Sequence, residues 1–345
     1  MKHRIFVGLS GGVDSAVSAA LLQSQGYDVV GAYIKIWQPE FIECTWKEDR
    51  LDAMRVAAAL GIPFREVDLS DEYKKEVVEK MVADYARGVT PNPDVLCNRA
   101  IKFGAFSAWA KSEGAEAIAT GHYAQIKKRD DNFELLRAKD AAKDQSYFLY
   151  RLGQQDLART VFPVGGLLKS EVRAEAKRLR LPVADKPDSQ GLCFVGEVSI
   201  ADFLARFIPL QRGPVIAEGK IIGEHDGAAL YTVGQRHGFT AAHSEGPYYV
   251  VRIDIQKNTL HVSAQREDAA RTEIIIEDVH WIYREPMLPC TLLAQARYHE
   301  QPVSASVSRQ EKQLLVTFEK PHIASPGQSL VLYDEDTCLG GGTIV

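Results

Sequence analysis

Ser10-Gly11-Gly12-Val13-Asp14-Ser15 follows a buried-strand pattern at Arg4–Leu9 and precedes a helical pattern at Ala16–Gln25 that ends at Gly26. Two adjacent glycines let backbone amides approach an anion closely, and the N-terminus of the following helix adds its positive dipole end. Ser10 and Ser15 supply hydroxyl donors, while Asp14 is suited either to hold Mg²⁺ or to shape the loop. A tight turn with a capping Ser or Asp would use the same residue types. The complete hexamer directly after a buried strand weighs toward phosphate. The Gly-Lys-Ser/Thr ending of a Walker loop is missing, which argues against a kinase or GTPase.

Outward from this loop, strands alternate with helices. Val29–Ile36 reads as a strand, Leu51–Leu60 as a helix, Phe64–Asp68 as a strand and Glu72–Arg87 as a helix. Ile101–Glu113 and Ala117–Thr120 add another helix and strand. This alternation predicts an α/β, doubly wound parallel sheet, with ligands beyond the carboxyl ends of the strands. Ile126–Arg137 reads as an exposed hairpin, Ser146–Leu157 and Lys169–Arg180 as helices, and Asp185–Cys193 as a loop. From about residue 210 short β-rich runs follow: Lys220–Gly223, Tyr248–Asp254, Thr259–Ser263, Glu273–Ile282, Leu292–Tyr298, Gln313–Phe318 and Ser329–Tyr333. A nucleotide domain over 1–205, a small central β-rich module over 206–270 and a C-terminal antiparallel β-barrel over 271–345 are expected.

With 345 residues, 46% hydrophobic and 25% charged, the chain has the composition of a globular protein of two or three domains. No apolar run approaches the roughly 20 residues of a membrane span, and no signal peptide is visible, so a cytoplasmic protein is expected. The net charge of −5 gives no overall basic footprint for nucleic acid, although a local basic face stays open. Five scattered cysteines form neither a disulfide framework nor a Cys-x-x-Cys metal pair, so no metal site is expected.

Two thiols have unusual surroundings. Cys97 ends the proline-punctuated segment Thr90-Pro91-Asn92-Pro93-Asp94-Val95-Leu96-Cys97, read as a loop entering a helix near Arg99–Ile101. A helix N-terminus with Arg99 and Lys102 nearby favours thiolate. Asp94, three residues earlier, is placed to accept or donate a proton. Cys193, in Asp188-Ser189-Gln190-Gly191-Leu192-Cys193, lies in a glycine-flanked loop suited to carrying a group. Cys44, Cys290 and Cys338 read as the small buried hydrophobes that most free cysteines are.

The hexamer resembles the PP-loop of ATP pyrophosphatases, which split ATP into AMP and pyrophosphate. The chain as a whole is similar to the tRNA-specific 2-thiouridylase family. The segments that carry the likeness, in order, are GLSGGVDS, TPNPDVLCN with IKF, ATGHYA, KDQSYFLY, FPVG, DSQGLCF, GEHDG, TVGQRHG, ARY, PGQS and CLGGG. The resemblance implies ATP held by Gly8, Leu9, Ser10, Gly11, Gly12, Val13, Asp14 and Ser15, with Gly121 and Ile34 against the nucleotide and Mg²⁺ on the phosphates. Ile34, where the family often has Met, reads equally well as plain core. The resemblance also implies tRNA contacts at Asn92, Pro93, Asp94, His122, Lys143, Asp144, Gln145, Arg297, Tyr298 and Gln328. Cys193 would carry a persulfide from a sulfur-donor protein, a cysteine desulfurase or relay, and Cys97 would be its partner, leaving a Cys97–Cys193 disulfide. A monomer is expected.

The basic residues Lys127, Lys128, Arg129, Arg137 and Lys139 form either a phosphate-facing patch or a solvated face, and Asp130 and Asp131 between them favour the latter. Tyr231–Arg236, Gln235 included, reads as a structural loop of the central module. Two rivals remain: another PP-loop adenylating ligase, and a non-catalytic RNA-binding sulfur carrier. The first leaves the two thiols idle, and the second leaves an intact phosphate loop without a purpose.

Overall fold

The computed structural model describes residues 3–41, 46–188, 198–241 and 247–345. Strand β1 (Arg4–Gly8) pairs in parallel with β2 (Asp28–Lys35), which pairs with β3 (Phe64–Asp68). On its other side β1 meets β4 (Ala117–Ala119). Period-2 alternation sends Ile5 and Val7 to one face and Phe6 to the other. The first face is covered by α1 (Val13–Ser24) and α2 (Trp46–Leu60). The second is covered by two helical runs, α3 over residues 70–86 and α4 over residues 93–112, each passing through a π-helical turn. Both faces are therefore helix-covered, as the near-continuous apolar strands require.

Past β4, the hairpin β5 (Gln125–Arg129) and β6 (Asn132–Leu136) leaves this sheet for another. A short β7 (Thr160–Val161) returns beside β4, completing the order β3-β2-β1-β4-β7, and α5 (Lys169–Arg178) packs against α1 on the Ile5 face. The central module has β8 (Gly213–Ala217), β9 (Lys220–His225), β10 (Phe239–Ala241), β11 (Tyr249–Asp254) and β12 (Thr259–Ser263), around Val215, Val250 and Leu260. Its sheet is mixed, since β12 runs parallel to β8.

The C-terminal sheet contains β13 (Arg271–Trp281), β14 (Cys290–Gln295), β15 (Val303–Gln310), β16 (Gln313–His322), β17 (Ser329–Asp334) and β18 (Thr337–Ile344). The order β13-β16-β15-β14-β17-β18 closes because β13 also pairs with β18, giving an antiparallel barrel. Full closure removes the open edges of the sheet.

Two expectations change. The hairpin is exposed only toward its tip: β6 hydrogen-bonds to β18, and Leu135 is fully buried. The segment Ser146–Leu157 is not one helix but a 3₁₀ turn (Ser146–Phe148) and a single turn at Gln154–Leu157. Tyr147 and Tyr150 are each 1% exposed. Tyr147 donates its hydroxyl to Ser329 O at 2.8 Å, and the Ser329 hydroxyl donates to Tyr150 Oη at 3.3 Å. Docking on the barrel outweighs helical propensity here. Gly153, extended at φ −106°, interrupts the run.

Candidate active site

The phosphate loop is built by steric exclusion. Gly11 has φ +76°, and a side chain there would run into the main chain of Asp49 on α2. Helix α1 has Gly12 as its N-cap and therefore no side-chain cap, so its first-turn amides face the loop opening without a competing acceptor at that position. Ser15 Oγ donates to Gly12 O at 3.1 Å and accepts from Ser10 N at 3.2 Å, while Ser10 Oγ accepts from Gly12 N at 3.4 Å. Leu9 and Val13 are buried and anchor the loop ends. Ile34 sits at the carboxyl end of β2, and Gly8 at that of β1 is near enough that a Cβ would lie 4.0 Å from its Cδ1. Ile34 also packs on the core.

Gly121 closes the loop from behind. A Cβ there would lie 2.7 Å from Ser15 N and 2.8 Å from the carbonyl carbon of Asp14. Overpacking of this kind costs about 1–3 kcal/mol. Gly121→Ala is therefore expected to weaken ATP binding at least about tenfold, more than it lowers thermal stability, as equilibrium dialysis and thermal melts would show.

Asp14 shapes the loop. Its carboxylate accepts from Tyr123 Oη at 2.8 Å and from Lys169 Nζ at 2.7 and 2.8 Å. Among the described residues no group of three His, Cys, Asp or Glu side chains is placed to hold a metal ion.

Gly121 leads into His122, which lies beside Lys102 of the Cys97 helix. Thr120 Oγ1 and His122 Nδ1 are 2.7 Å apart, and Lys102 Nζ lies 3.5 Å from His122 Nε2. Lys102 belongs to α4, the helix of Cys97, and its charge acts on Asp94. The ring of His122 packs on Phe103 and Phe162. Burial first, and then the Lys102 charge, depress its pKa well below the usual imidazole range. This pair of effects keeps the ring neutral and carries a pH consequence. Below about pH 6.5 the unfolded chain binds a proton that the folded chain refuses, so stability is present above that pH and falls below it, by up to about 1.4 kcal/mol per pH unit. Replacing His122 with Gln is expected to flatten the stability profile between pH 6.5 and 5 in denaturant titrations.

The thiol helix begins earlier than predicted. Asn92 is the N-cap, its Oδ1 accepting from Val95 N at 3.4 Å, and Pro93 occupies the first turn. Cys97 is thus the fifth residue of a helical run, 8% exposed, and not at a helix N-terminus. The dipole end falls on Pro93–Val95 instead. Arg99 is exposed, and it is Lys102 that turns inward. Burial raises the Asp94 pKa, with Lys102 partly opposing it, which suits a carboxyl that exchanges protons. Next to Cys97, Asn98 is buried and donates from Nδ2 to Phe148 O at 3.2 Å, while its Oδ1 has no hydrogen-bond partner. Cys193 and Cys44 lie outside the described residues. Cys338 is buried and Cys290 half-buried, and burial raises the thiol pKa of both, which disfavours their thiolates.

The expected RNA contacts divide. Asp144 is buried and occupied by Ala138 N, Ser146 N, Ser146 Oγ and Arg137 Nε. Gln145 braces Tyr123, its Oε1 accepting from Tyr123 N at 2.9 Å. Lys143 is 40% exposed and pairs with Asp188. On the hairpin Lys127 and Lys128 are exposed and Arg129 pairs with Glu134; beyond it Lys139 pairs with Glu171 in solvent, as a solvated face would, whereas Arg137 turns inward onto buried Asp144.

Arg297, Tyr298 and Gln328 meet where the three modules join. Gln328 Nε2 donates to the carbonyls of Thr90 and Pro91 at 3.0 and 2.7 Å, just before Asn92. Arg297 Nη2 donates to Val233 O at 3.0 Å, and Thr90 Oγ1 lies 2.9 Å from Thr232 Oγ1. A cavity of about 380 Å³ opens between Thr232, Gln235, Arg297, Tyr298 and Gln328. Tyr298 packs on Phe148 with ring centres 4.4 Å apart, and burial pushes its hydroxyl pKa up to about 12. Residues 232–235 of the expected structural loop are therefore part of this junction. The sequence does not single out Lys169, Tyr123 or Asn98, and it marks Lys102 only as a charge near Cys97, not as the neighbour of His122. Lys169 reads there as an ordinary surface charge, since nothing local shows that it folds back onto a residue 155 positions away.

A parallel α/β domain with a glycine cradle for phosphate, a thiol-bearing helix beside it and two β modules that contact the segment leading into that helix define a PP-loop enzyme with two appended β modules. The tRNA methyl transferase HUP domain model matches residues 3–197, the tRNA methyl transferase PRC-barrel model 201–264, and the aminomethyltransferase beta-barrel model 271–344. The chain belongs to the tRNA-specific 2-thiouridylase family. It is 44% identical to the tRNA-specific 2-thiouridylase MnmA of Burkholderia pseudomallei (strain 668), over 99% of this chain and 94% of that protein. It is 41% identical to the MnmA of Methylobacillus flagellatus, over 100% and 99%. A solved 4-thiouridine synthetase–RNA complex with bound ATP is 21% identical, with a TM-score of 0.35 over 60% of this chain and 50% of that one. Among the described residues no helix is long and apolar enough to cross a membrane.

Proposed function

We propose that the chain is an ATP-dependent tRNA-uridine 2-sulfurtransferase acting on the wobble uridine. The observation that carries this reading is the contact line from the phosphate loop through Gly121 and His122 to Lys102 on the helix of Cys97 and Asp94. It supports the reading because the phosphate loop, Asp94 and Cys97 lie on adjoining elements. An amide-like carbonyl carbon is a poor electrophile, and adenylylation of its oxygen supplies the missing leaving group. ATP on Ser10–Ser15 would pass its AMP moiety to the uridine 2-oxygen and release pyrophosphate, with Mg²⁺ accompanying the phosphates. Asn92, Pro93 and Asp94 would hold the flipped base, and Asp94 would exchange the proton.

The terminal sulfur of a Cys193 persulfide would attack carbon 2 and AMP would depart. The Cys97 thiolate would then attack Cys193 Sγ, freeing 2-thiouridine and leaving a Cys97–Cys193 disulfide. A two-electron thiol reductant would reset the pair, and a persulfide-bearing donor protein would reload Cys193. The remaining tRNA contacts would come from the module junction around Arg297, Tyr298 and Gln328, together with Lys143, acting in a cytoplasmic monomer. The three domain models carry methyltransferase names, but a methyl transfer would use neither a phosphate cradle nor paired thiols. The test is mass spectrometry of tRNA nucleosides after incubation with ATP, a cysteine desulfurase with cysteine as the persulfide donor, and a thiol reductant. Sulfur replacing oxygen in uridine supports the proposal, and a methyl gain or no change overturns it.

A further inference from the structure

Beyond the loop itself, one ammonium is built into the cradle. Lys169 Nζ lies 2.7 and 2.8 Å from the two carboxylate oxygens of Asp14 and 2.9 Å from Asp188 Oδ1, and its side chain is only 12% exposed. Lys143 and Arg173 also bind Asp188, at 2.8 and 2.6 Å. Three cations thus serve two carboxylates in this ion-paired group. Asp140 stands beside it but is taken up by the backbone amides of Lys169 and Ala142. Asp14 is the second residue of α1, so the ammonium is one hydrogen bond from the amides that would receive phosphate. Lys169 also opens α5, and its ammonium lies 5.7 Å from the Tyr123 ring centre, which fixes its approach from one side.

Adenylylation concentrates new negative charge on departing pyrophosphate, where a fixed cation is most effective. We propose that Lys169 is a nucleotide-binding residue whose ammonium contacts the phosphates of ATP beyond the α-phosphate. This inference rests on the nucleotide reading above and adds a residue to it.

The experiment compares ATP and AMP binding to the full-length protein by calorimetry. In Lys169→Met, ATP affinity is expected to fall about 10- to 100-fold, the range for a charge-assisted hydrogen bond, with AMP affinity unchanged within about twofold. Lys169→Arg, which keeps the charge, should recover most of the ATP preference. If Lys169 only neutralised Asp14, ATP and AMP would weaken together, and that result overturns the proposal, as does an unchanged ATP affinity. Should Lys169→Met not fold, acetylation mapping of the wild-type protein decides: ATP but not AMP should protect Lys169, and equal protection contradicts the inference. Failure of the wild-type protein to bind either nucleotide would instead remove the nucleotide reading itself.

Discussion

Replacing Cys97 with serine is expected to reduce 2-thiouridine formation at least about a thousandfold, while a single round of ATP consumption on bound tRNA still occurs. Loss of a nucleophile that acts in concert with partners commonly costs this much or more. The substitution is nearly isosteric at a buried position, so the fold should survive. Serine lacks the low-energy thiolate that would attack Cys193 Sγ, and sulfur would stall as a mixed adduct on carbon 2. Cys193→Ser should abolish thiolation equally but earlier, with no adduct, because the persulfide itself cannot form. Nucleoside mass spectrometry with assays for AMP and pyrophosphate separates the two outcomes. Normal 2-thiouridine in either variant would remove that cysteine from the scheme.

Asp14→Ala should act at the other end of the reaction, lowering AMP and pyrophosphate release at least about a hundredfold. The truncation leaves the Tyr123 hydroxyl without its acceptor and leaves Lys169 to Asp188 alone. Uncovering partly buried polar groups costs about 1–3 kcal/mol, so a lowered melting temperature should accompany the loss. Binding of tRNA, which the proposal assigns elsewhere, should hold. If pyrophosphate release persisted in this variant, Asp14 would not organise the cradle.

What could be read from sequence follows from how locally each signal is written. The alternation of Ile5, Phe6 and Val7 and the glycine pair at 11–12 are consecutive residues, and the structure repeats them as strand, loop and helix. Strands β15 and β18 escaped notice for opposite reasons. Val303–Gln310, VSASVSRQ, buries small side chains and lacks a bulky stripe. Thr337–Ile344 carries three successive glycines that read as a turn, yet Cβ atoms on Gly341 and Gly342 would strike the chains of Leu330 and Glu277. Those glycines are what lets the barrel close.

The helix start at Asn92-Pro93 was written in the sequence as an N-cap followed by an N1 proline, but the two prolines also fit a rigid loop. The anchoring of Asp144 and Gln145, the folding of Lys169 onto Asp14 and the clasp of Gln328 on Thr90 and Pro91 are long-range contacts between polar residues. No periodicity announces them.

The central claim is that ATP activates the uridine 2-oxygen itself. A tRNA carrying ¹⁸O at that position of its wobble uridine tests it directly. The account predicts that the label leaves with AMP, in its phosphate, as sulfur enters the base. Label retained in the tRNA after ATP turnover, or unlabelled AMP alongside thiolated product, would contradict it.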